Sequence, residues 1–197
     1  MIKWLSILLI CLLISCATKL PQANLPAEIP WSTEGLKWDY FQEVLHVEGG
    51  GKDLLASTWS KVYYKLADTL SFQNKIPGVA VSVYAVMVPS KSYVKASANR
   101  KGLLEHEQIH FDIAELCARK IRKELSETNF YQKNYWIDIS VIYRKYLAER
   151  RNMNELYDAQ HRDKYWGHYY WRTSIDMQLI GLKKFADINV FARTLPL

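Results

Sequence analysis

The amino-acid sequence predicts a single α+β domain, with an antiparallel or mixed sheet in its first half followed by three helices. The first observation is a series of β-branched and aromatic runs between residues 31 and 94, separated by glycine and proline. The second is a change to helical spacing of the apolar residues from residue 101 onward. The third is composition: 49% of the 197 residues are hydrophobic, with eight glycines and six prolines, which fits one well-packed domain.

The N-terminal segment is predicted to lie outside this domain. Residues 4–14 are almost entirely apolar, but this stretch is shorter than the roughly 20 residues of a membrane-spanning helix. We therefore expect residues 1–15 to be a signal peptide. Leu13-Ile14-Ser15-Cys16 resembles the bacterial lipobox, which implies cleavage before Cys16 and lipidation of its thiol. The alternative is an ordinary secretory signal with an incidental cysteine.

Cysteine content and charge narrow the class of protein further. Residues 16–30 contain three prolines and are predicted to be a tether, which leaves residues 31–197 for the domain. If Cys11 leaves with the signal peptide and Cys16 is lipidated, Cys117 remains alone, so we expect no disulfide. The net charge of +6 is spread along the chain, which argues against a nucleic-acid-binding protein.

Each predicted strand has its own signal. Residues 36–41 open the strand region, and residues 48–52 contain three consecutive glycines typical of a turn. Residues 58–66 alternate in part and are rich in aromatic and β-branched side chains. Residues 79–88 are apolar on both faces, so we place them at the centre of the sheet, and the Pro-Ser-Lys-Ser run at residues 89–92 ends them.

Three helices are predicted after the strands. The first begins near residue 101, and one side of it carries Leu103, His106, His110, Ile113, Cys117 and Ile121. Charge accumulates on the other side and at the C-terminal end, where cations suit the helix dipole: Arg119, Lys120, Arg122 and Lys123. The second helix is predicted for residues 136–157. The third is predicted for residues 170–185, with one side formed by Trp171, Ile175, Leu179 and Leu182.

His106, Glu107 and His110 form the motif with the clearest chemistry. Residues four apart share a helix face, so the two imidazoles can hold one Zn²⁺ together. Glu107 projects roughly 100° around the helix from His106, where it can take a proton from a zinc-bound water and pass it to a leaving amine. This is the H-E-x-x-H arrangement of zinc peptidases. The alternative is a pair of histidines that merely pack on a half-buried helix face.

A catalytic zinc usually has a third protein ligand, and the residue pattern leaves several candidates. The position six residues after His110 is Leu116, which excludes the metzincin continuation. His161 and His168 are downstream candidates. Four glutamates are also candidates, although each is more typical of a solvated helix charge: Glu124, Glu127, Glu149 and Glu155.

Helix geometry decides what three residues closer to the motif can contribute to the zinc site. Cys117 lies about 10 Å along the helix from His110, too far for one zinc to bind both, and we expect it to be a buried small apolar residue. Glu115 points away from His110 and is excluded as a ligand. Asp112 could support a ligand imidazole through a hydrogen bond.

Residues 103–115, around the motif, resemble the signature of a bacterial family of predicted secreted zinc-dependent proteases, domain-of-unknown-function family 922. The family's Leu-x-Trp-x-x-Phe, Lys-Ser-aromatic-Val and Ala-Arg-Lys-like segments are matched by residues 36–41, 91–94 and 118–123. The resemblance thus covers most of residues 36–185. It implies a secreted zinc-dependent hydrolase.

The family also carries a Tyr-Asp-x-x-Thr-x-His-Gly segment whose histidine looks like the third zinc ligand. Tyr157 and Asp158 match it, but His161 stands at the threonine position and Asp163 at the histidine position. The resemblance therefore leaves His161, Asp163 or His168 as the third ligand. We favour His161, because Trp171 follows it at the family's ten-residue interval.

These patterns together predict a lipid-anchored zinc peptidase of the bacterial cell envelope, with a small zincin-like domain whose first helix carries the motif. We expect His106, His110 and His161 to bind Zn²⁺, Glu107 to act as general base, and Tyr157 or His168 to stabilise the oxyanion. The expected partners are a peptide or protein substrate and the membrane that holds the lipid anchor. Residues 79–88, or a neighbouring edge strand, could pair with an extended peptide.

A second class of function fits the same sequence. In this alternative, the chain is a non-catalytic envelope lipoprotein that binds a protein partner and keeps a structural or vestigial zinc site. Thirteen tyrosines and seven tryptophans would supply an aromatic binding surface, although core packing accounts for them more simply. A structural zinc is closed by four protein ligands, whereas a catalytic zinc keeps one position open, so the ligand count separates the two hypotheses.

Overall fold

The computed structural model describes residues 25–45, 54–67, 70–74, 76–161 and 166–196, without the side chains of His161 and Trp166. The predicted signal peptide, Cys16, residues 16–24 of the predicted tether and the predicted turn at residues 48–52 lie outside these residues. Within the described ranges, no helix is both long enough and apolar enough to cross a lipid bilayer.

The described strands form two sheets. In chain order they are β1 (Ile29–Pro30), β2 (Gln42–Val44), β3 (Ala56–Ser57), β4 (Ser60–Leu66), β5 (Ser71–Gln73), β6 (Ile76–Met87), β7 (Tyr93–Lys95), β8 (Asn129–Tyr131) and β9 (Asn189–Leu195). The larger sheet is mixed and is organised around β6, which pairs with β4 and β5 and also with β1 and β9. Strand β8 pairs in parallel with β9 on the side away from β6. The smaller sheet is also mixed and has the order β2-β7-β3.

The described residues also form three α-helices: α1 (Leu103–Glu127), α2 (Tyr135–His161) and α3 (Trp166–Gly181). The residue before α1, Gly102, has a φ of 74°, a left-handed conformation that glycine adopts without steric cost. Short 3-10 turns lie at Trp38–Tyr40, Pro89–Lys91 and Lys183–Phe185. The α+β class, the mixed sheet and the three helices predicted from the sequence are therefore confirmed.

Helix α1 occupies the centre of the domain because two of its faces are apolar. Phe111 and Ala118 belong to a core shared with the large sheet and the first turns of α2. Ile109 and Ile113 belong to a second core, in which α1 packs against α3 and the C-terminal part of α2. As a result, fourteen of the residues of α1 are buried, and the helix is fixed against both layers.

The order of the elements differs from the prediction, because two strands come after helices. Strand β8 follows α1, and β9 follows α3 and inserts between β6 and β8. Only Ala192 and Thr194 of β9 are buried, so its apolar signal is weak. Its stability comes from pairing with residues of β6 more than a hundred positions away, and such pairing leaves no local pattern.

Two further boundaries differ from the prediction. Residues 36–41 do not begin a strand; the 3-10 turn at Trp38–Tyr40 instead places the ring of Trp38 edge-on to that of Phe41, with centroids 5.0 Å apart. At the end of the predicted tether, Ile29 and Pro30 form β1 and pair with Met87 and Val86 of β6. The folded part of the chain therefore begins before residue 31.

Candidate metal centre

The first two turns of α1 bring the two motif histidines together. His106 and His110 are four residues apart on this helix, and their ring centroids are 4.8 Å apart. Their Nε2 atoms are 3.2 Å apart and point to the same place. The helical spacing predicted from the sequence thus gives one face with two converging imidazole nitrogens.

Helix α2 supplies a carboxylate to the same place. Asp158 Oδ1 lies 3.0 Å from His110 Nε2 and 3.4 Å from His106 Nε2. One helical turn earlier, Asn154 Oδ1 accepts a hydrogen bond of 2.9 Å from His110 Nδ1. In the neutral ring this bond places the proton on Nδ1, which leaves the lone pair of Nε2 available to a metal. When the ring is protonated, Nε2–H donates to Asp158.

The spacing of these three donor atoms fits a tetrahedral metal ion. Ligand bonds of about 2.0–2.1 Å at tetrahedral angles put neighbouring ligand atoms roughly 3.3 Å apart. The three observed separations run from 3.0 to 3.4 Å. Two imidazole nitrogens and one carboxylate oxygen are also a ligand set used by catalytic zinc. Among the described residues, His106, His110 and Asp158 are therefore a group that could hold one ion, and we call these three residues the metal cluster.

The electrostatics of the cluster follow from its partial burial. Burial alone lowers the pKa of His110, but its hydrogen bonds with Asp158 and Asn154 and the charge of Glu107 outweigh burial and raise it. Burial raises the pKa of Asp158, yet the hydrogen bonds from His106 and His110 hold that pKa far below its usual range. The carboxylate of Asp158 is thus ionised beside the two imidazoles at neutral pH.

Glu107 lies beside the cluster and faces the same cavity. Its side chain is buried, and among the described residues Oε2 has no hydrogen-bond partner. The cavity has a volume of about 220 Å³, and its lining includes His106, Glu107, His110, Asn154 and Asp158. Because a buried carboxylate oxygen without a partner costs free energy, this atom is suited to exchange a proton with a water or ligand in the cavity.

Tyr157 and His168 lie behind the histidines rather than on the cavity wall. The ring of Tyr157 is fully buried and stacks on His106 with centroids 4.7 Å apart. Its hydroxyl group is 3.3 Å from His168 Nδ1 on α3. Burial, and then the charge of Glu107, raise the pKa of Tyr157 well above its usual range. In this arrangement the two residues hold the His106 ring in position.

The structure describes the four glutamate candidates away from the cluster and leaves two other ligand candidates untested. His161 is the last residue of α2, one turn after Asp158; its side chain and all of Asp163 lie outside the described part of the chain. Glu124 binds Lys145 and Tyr146, and Glu149 binds Lys120. The other two glutamates of the prediction, Glu127 and Glu155, are exposed on their helices and do not line the cavity.

Predictions for other residues of α1 have mixed outcomes. Cys117 is buried, and burial raises its pKa to about 12, as expected for a small core residue. Asp112 supports no ligand imidazole, because its oxygens accept hydrogen bonds from Trp31, Gln108 and Arg172. These groups line a separate cavity of about 730 Å³ on the other side of α1.

Two of the four basic residues at the end of α1 are buried rather than exposed. Arg119 and Arg122 are buried, and both donate to Glu115 Oε1, at 2.8 and 2.6 Å. Glu115 is therefore excluded as a metal ligand, as predicted, by a buried ion cluster. Its spacing of four and seven residues from the two arginines is the signal that could have indicated this cluster.

Sequence reasoning missed Asp158 and Asn154 as parts of the site. Both lie on α2, four residues apart and hence on one face, whereas the sequence analysis favoured His161 and considered Asp163, His168 and four glutamates instead. The Tyr-Asp pair at residues 157 and 158 was available as a signal. What the sequence lacks is the packing of α2 against α1, which brings residues 48 positions apart into contact.

The cavity wall opposite the helices comes from an edge of the smaller sheet. Strand β6, considered above as a place for an extended peptide, is paired on both sides and cannot accept another strand along its paired residues. Among the strands that the structure describes, β3 is the outer strand of the order β2-β7-β3, and its residues Ala56 and Ser57 line the cavity. A neighbouring edge strand therefore lies beside the metal cluster.

Comparison with known proteins gives one match. A family model described as "Bacterial protein of unknown function (DUF922)" matches residues 49–168, more than half of the chain. The matched segment includes β3 to β7, α1 and α2, and thus His106, Glu107, His110 and Asp158. Neither the curated proteins nor the solved structures include a match to this chain.

Proposed function

The chain belongs to the DUF922 family of bacterial proteins, and we propose that it is a zinc-dependent peptidase of the cell envelope. The observation that carries the proposal is the convergence of His106 Nε2, His110 Nε2 and Asp158 Oδ1 beside the buried, unpartnered Glu107 Oε2. A purely structural histidine pair would need neither the third donor nor a carboxylate held without a partner in the adjoining cavity.

The donor set fits zinc, with His106, His110 and Asp158 as the residues that would hold it. Bound there, zinc would supply Lewis-acid activation of a carbonyl group and would lower the pKa of a water to about 7. Asn154 fixes the ring orientation of His110, and the Tyr157–His168 pair fixes that of His106. His161, one turn beyond Asp158, remains our sequence-based candidate for a further ligand.

Glu107 has the position of a general base. Its Oε2 would accept a proton from water in the cavity and donate it to the leaving amine of a cleaved peptide. The edge strand β3 would hold an extended peptide across the cavity by main-chain hydrogen bonds. Sequence analysis favours Tyr157 and His168 as oxyanion donors; since both lie behind His106, we assign them a positioning role first.

The proposed location rests on the sequence. The apolar N-terminal segment and Leu13-Ile14-Ser15-Cys16 support a lipid anchor, and the anchor would place the domain at the surface of an envelope membrane. We also propose that the fold is zincin-like. The mixed sheet and the position of residues 106–110 on a central helix support this relation.

Metal content and peptide hydrolysis, measured together, test this function. We expect the purified wild type to hold one zinc and to cleave an unstructured protein such as casein. Glu107→Gln should keep zinc and lose activity by roughly a hundredfold or more, while the exposed neighbour variant Glu105→Gln should match wild type. Asp158→Asn should lose zinc. Wild type without zinc after growth in ample metal, or equal activity of Glu107→Gln and wild type, would contradict the proposal.

The alternative of a non-catalytic zinc lipoprotein makes a different prediction for the same samples. A structural site needs four protein ligands, and the described side chains supply three. If His161→Ala loses zinc together with Asp158→Asn, and wild type cleaves no protein substrate, a closed site with four ligands is the better explanation. If His161→Ala keeps zinc, one coordination position stays open for chemistry.

A further inference from the structure

Two more polar groups of the metal cavity lack partners. Thr58 Oγ1 and Arg150 Nε are buried and form no hydrogen bond within the part of the chain that the structure describes. Both residues line the same cavity of about 220 Å³ as Glu107 and the metal cluster. Buried donors without acceptors are rare in folded proteins, and here two of them share one cavity with the proposed chemistry.

Arg150 is held in place but its charge is not paired. Its Nη2 donates to Ser60 O at 2.8 Å and to Ser60 Oγ at 2.7 Å, which fixes the guanidinium group against the start of β4. Both acceptors are neutral, and no carboxylate among the described residues forms an ion pair with this arginine. Burial lowers the pKa of Arg150, but an arginine side chain stays protonated at neutral pH. The cavity therefore contains a positive charge that an anion would stabilise.

Helix α2 sets the distance between this charge and the metal cluster. Arg150, Asn154 and Asp158 recur every four residues, and all three line the cavity. Eight residues of helix separate the Cα atoms of Arg150 and Asp158 by about 12 Å. An extended peptide advances about 3.3–3.6 Å per residue, so a group bound at Arg150 lies roughly three or four residues from a bond held at the metal cluster.

We propose that Arg150 and Thr58 form a carboxylate-binding subsite, and that the substrates are peptides with a carboxylate roughly three or four residues from the cleaved bond. The guanidinium Nε–H and the threonine hydroxyl are both donors, and a carboxylate is the common peptide group that accepts from two donors and also neutralises the charge. The carboxylate comes from a free C-terminus or from an Asp or Glu side chain. This inference rests on the proposed peptidase function.

Peptide binding tests the subsite without depending on turnover. The probes are three N-acetylated tetra-alanine peptides: one with a free C-terminus, one with a C-terminal amide, and one amidated peptide with glutamate at its third position. Binding is measured by calorimetry with the zinc-loaded Glu107→Gln protein. We expect one or both carboxylate peptides to bind roughly tenfold tighter than the neutral amide. Whichever carboxylate peptide binds more tightly identifies the source of the carboxylate.

Variants in the same background assign the effect to the subsite. Arg150→Gln should remove the preference for the carboxylate peptide, and Thr58→Val should reduce it. Arg151→Gln, which changes an exposed arginine next in sequence on α2, should leave it intact. If Arg150→Gln fails to fold or to bind zinc, Arg150→Lys and Thr58→Val decide the question: a preference kept in the lysine variant and reduced in the valine variant supports the subsite.

The outcomes separate the two proposals. Equal affinity for all three peptides, no binding of any of them, or an undiminished preference in Arg150→Gln would overturn the carboxylate subsite. Casein cleavage by wild type together with equal peptide affinities would leave the peptidase function standing while the subsite fails. Carboxylate-dependent binding lost in Arg150→Gln, with no cleavage by wild type, would leave the subsite standing while the peptidase function fails.

Discussion

Removing the hydrogen bond between Asn154 and His110 is the most direct test of how the metal cluster is built. In Asn154→Ala, His110 Nδ1 loses an acceptor at 2.9 Å, and the ring becomes free to rotate or to carry its proton on Nε2 instead. Either change reduces the fraction of molecules in which Nε2 is ready to bind a metal. The three donor atoms themselves remain unchanged, so the variant isolates the effect of orientation.

The size of the effect follows from the kind of bond that is lost. A hydrogen bond between neutral groups contributes about 0.5–1.5 kcal/mol net. Loss of a hydrogen-bonding partner of a metal-bound histidine typically weakens metal affinity by about 10–100-fold. The two ranges overlap near tenfold, or about 1.4 kcal/mol. We therefore expect Asn154→Ala to bind zinc about tenfold more weakly than wild type.

A competition titration against a chromophoric zinc chelator measures this change. Asn152→Ala is the matched control, because Asn152 is an exposed asparagine on the same helix, two residues earlier and away from the cavity. Asn154→Asp keeps an acceptor oxygen and should bind zinc more tightly than Asn154→Ala. Equal zinc affinity of Asn154→Ala and Asn152→Ala would contradict this prediction, because His110 would then need no support from α2.

Three further predictions concern the framework around the site. Glu115→Gln should lower the free energy of unfolding, measured by urea titration, by about 3–5 kcal/mol, because the substitution leaves Arg119 and Arg122 buried without the charge of Glu115. A loss below about 1 kcal/mol would contradict this prediction. Gly78→Ala should lower the melting temperature, since its Cβ would lie 2.5 Å from the carbonyl oxygen of Ala192, and an unchanged melting curve would show that β9 can move away. Burial raises the pKa of Cys117 to about 12, so this thiol should resist alkylation in the native protein near neutral pH and react once the protein is unfolded in guanidinium. Mass spectrometry of the peptide that contains Cys117 measures the extent of alkylation. Rapid alkylation of the native protein would show that the core around Cys117 opens.

The parts of the fold that could be predicted are those with a local pattern. Helix α1 has apolar residues at helical spacing, and the same spacing places His106 and His110 on one face. Strand β6 is apolar on both faces, and the structure places it at the centre of the sheet. In both cases the spacing of apolar residues within the element itself indicates which of its faces are buried.

The parts that could not be predicted depend on contacts between distant residues. Asp158 is an acidic residue on a polar stretch of α2, and only the packing of α2 against α1 brings it to His110. Arg119 and Arg122 are basic residues near the end of a helix, and the sequence analysis did not foresee that the carboxylate of Glu115 allows their burial. For such residues, the partner decides the environment, and the partner is not a neighbour in sequence.

The position of β9 also constrains when the domain can fold. Because β9 lies between β6 and β8, the large sheet has a gap until residue 195 has been synthesised. Until then, β6 presents an unpaired edge and α1 lacks part of its packing surface. A nascent chain that lacks this strand is therefore held in an incomplete state, and contacts that span more than a hundred residues close late and slowly. If the chain is exported unfolded, as the proposed signal peptide implies, the large sheet cannot be completed until residue 195 has crossed the membrane.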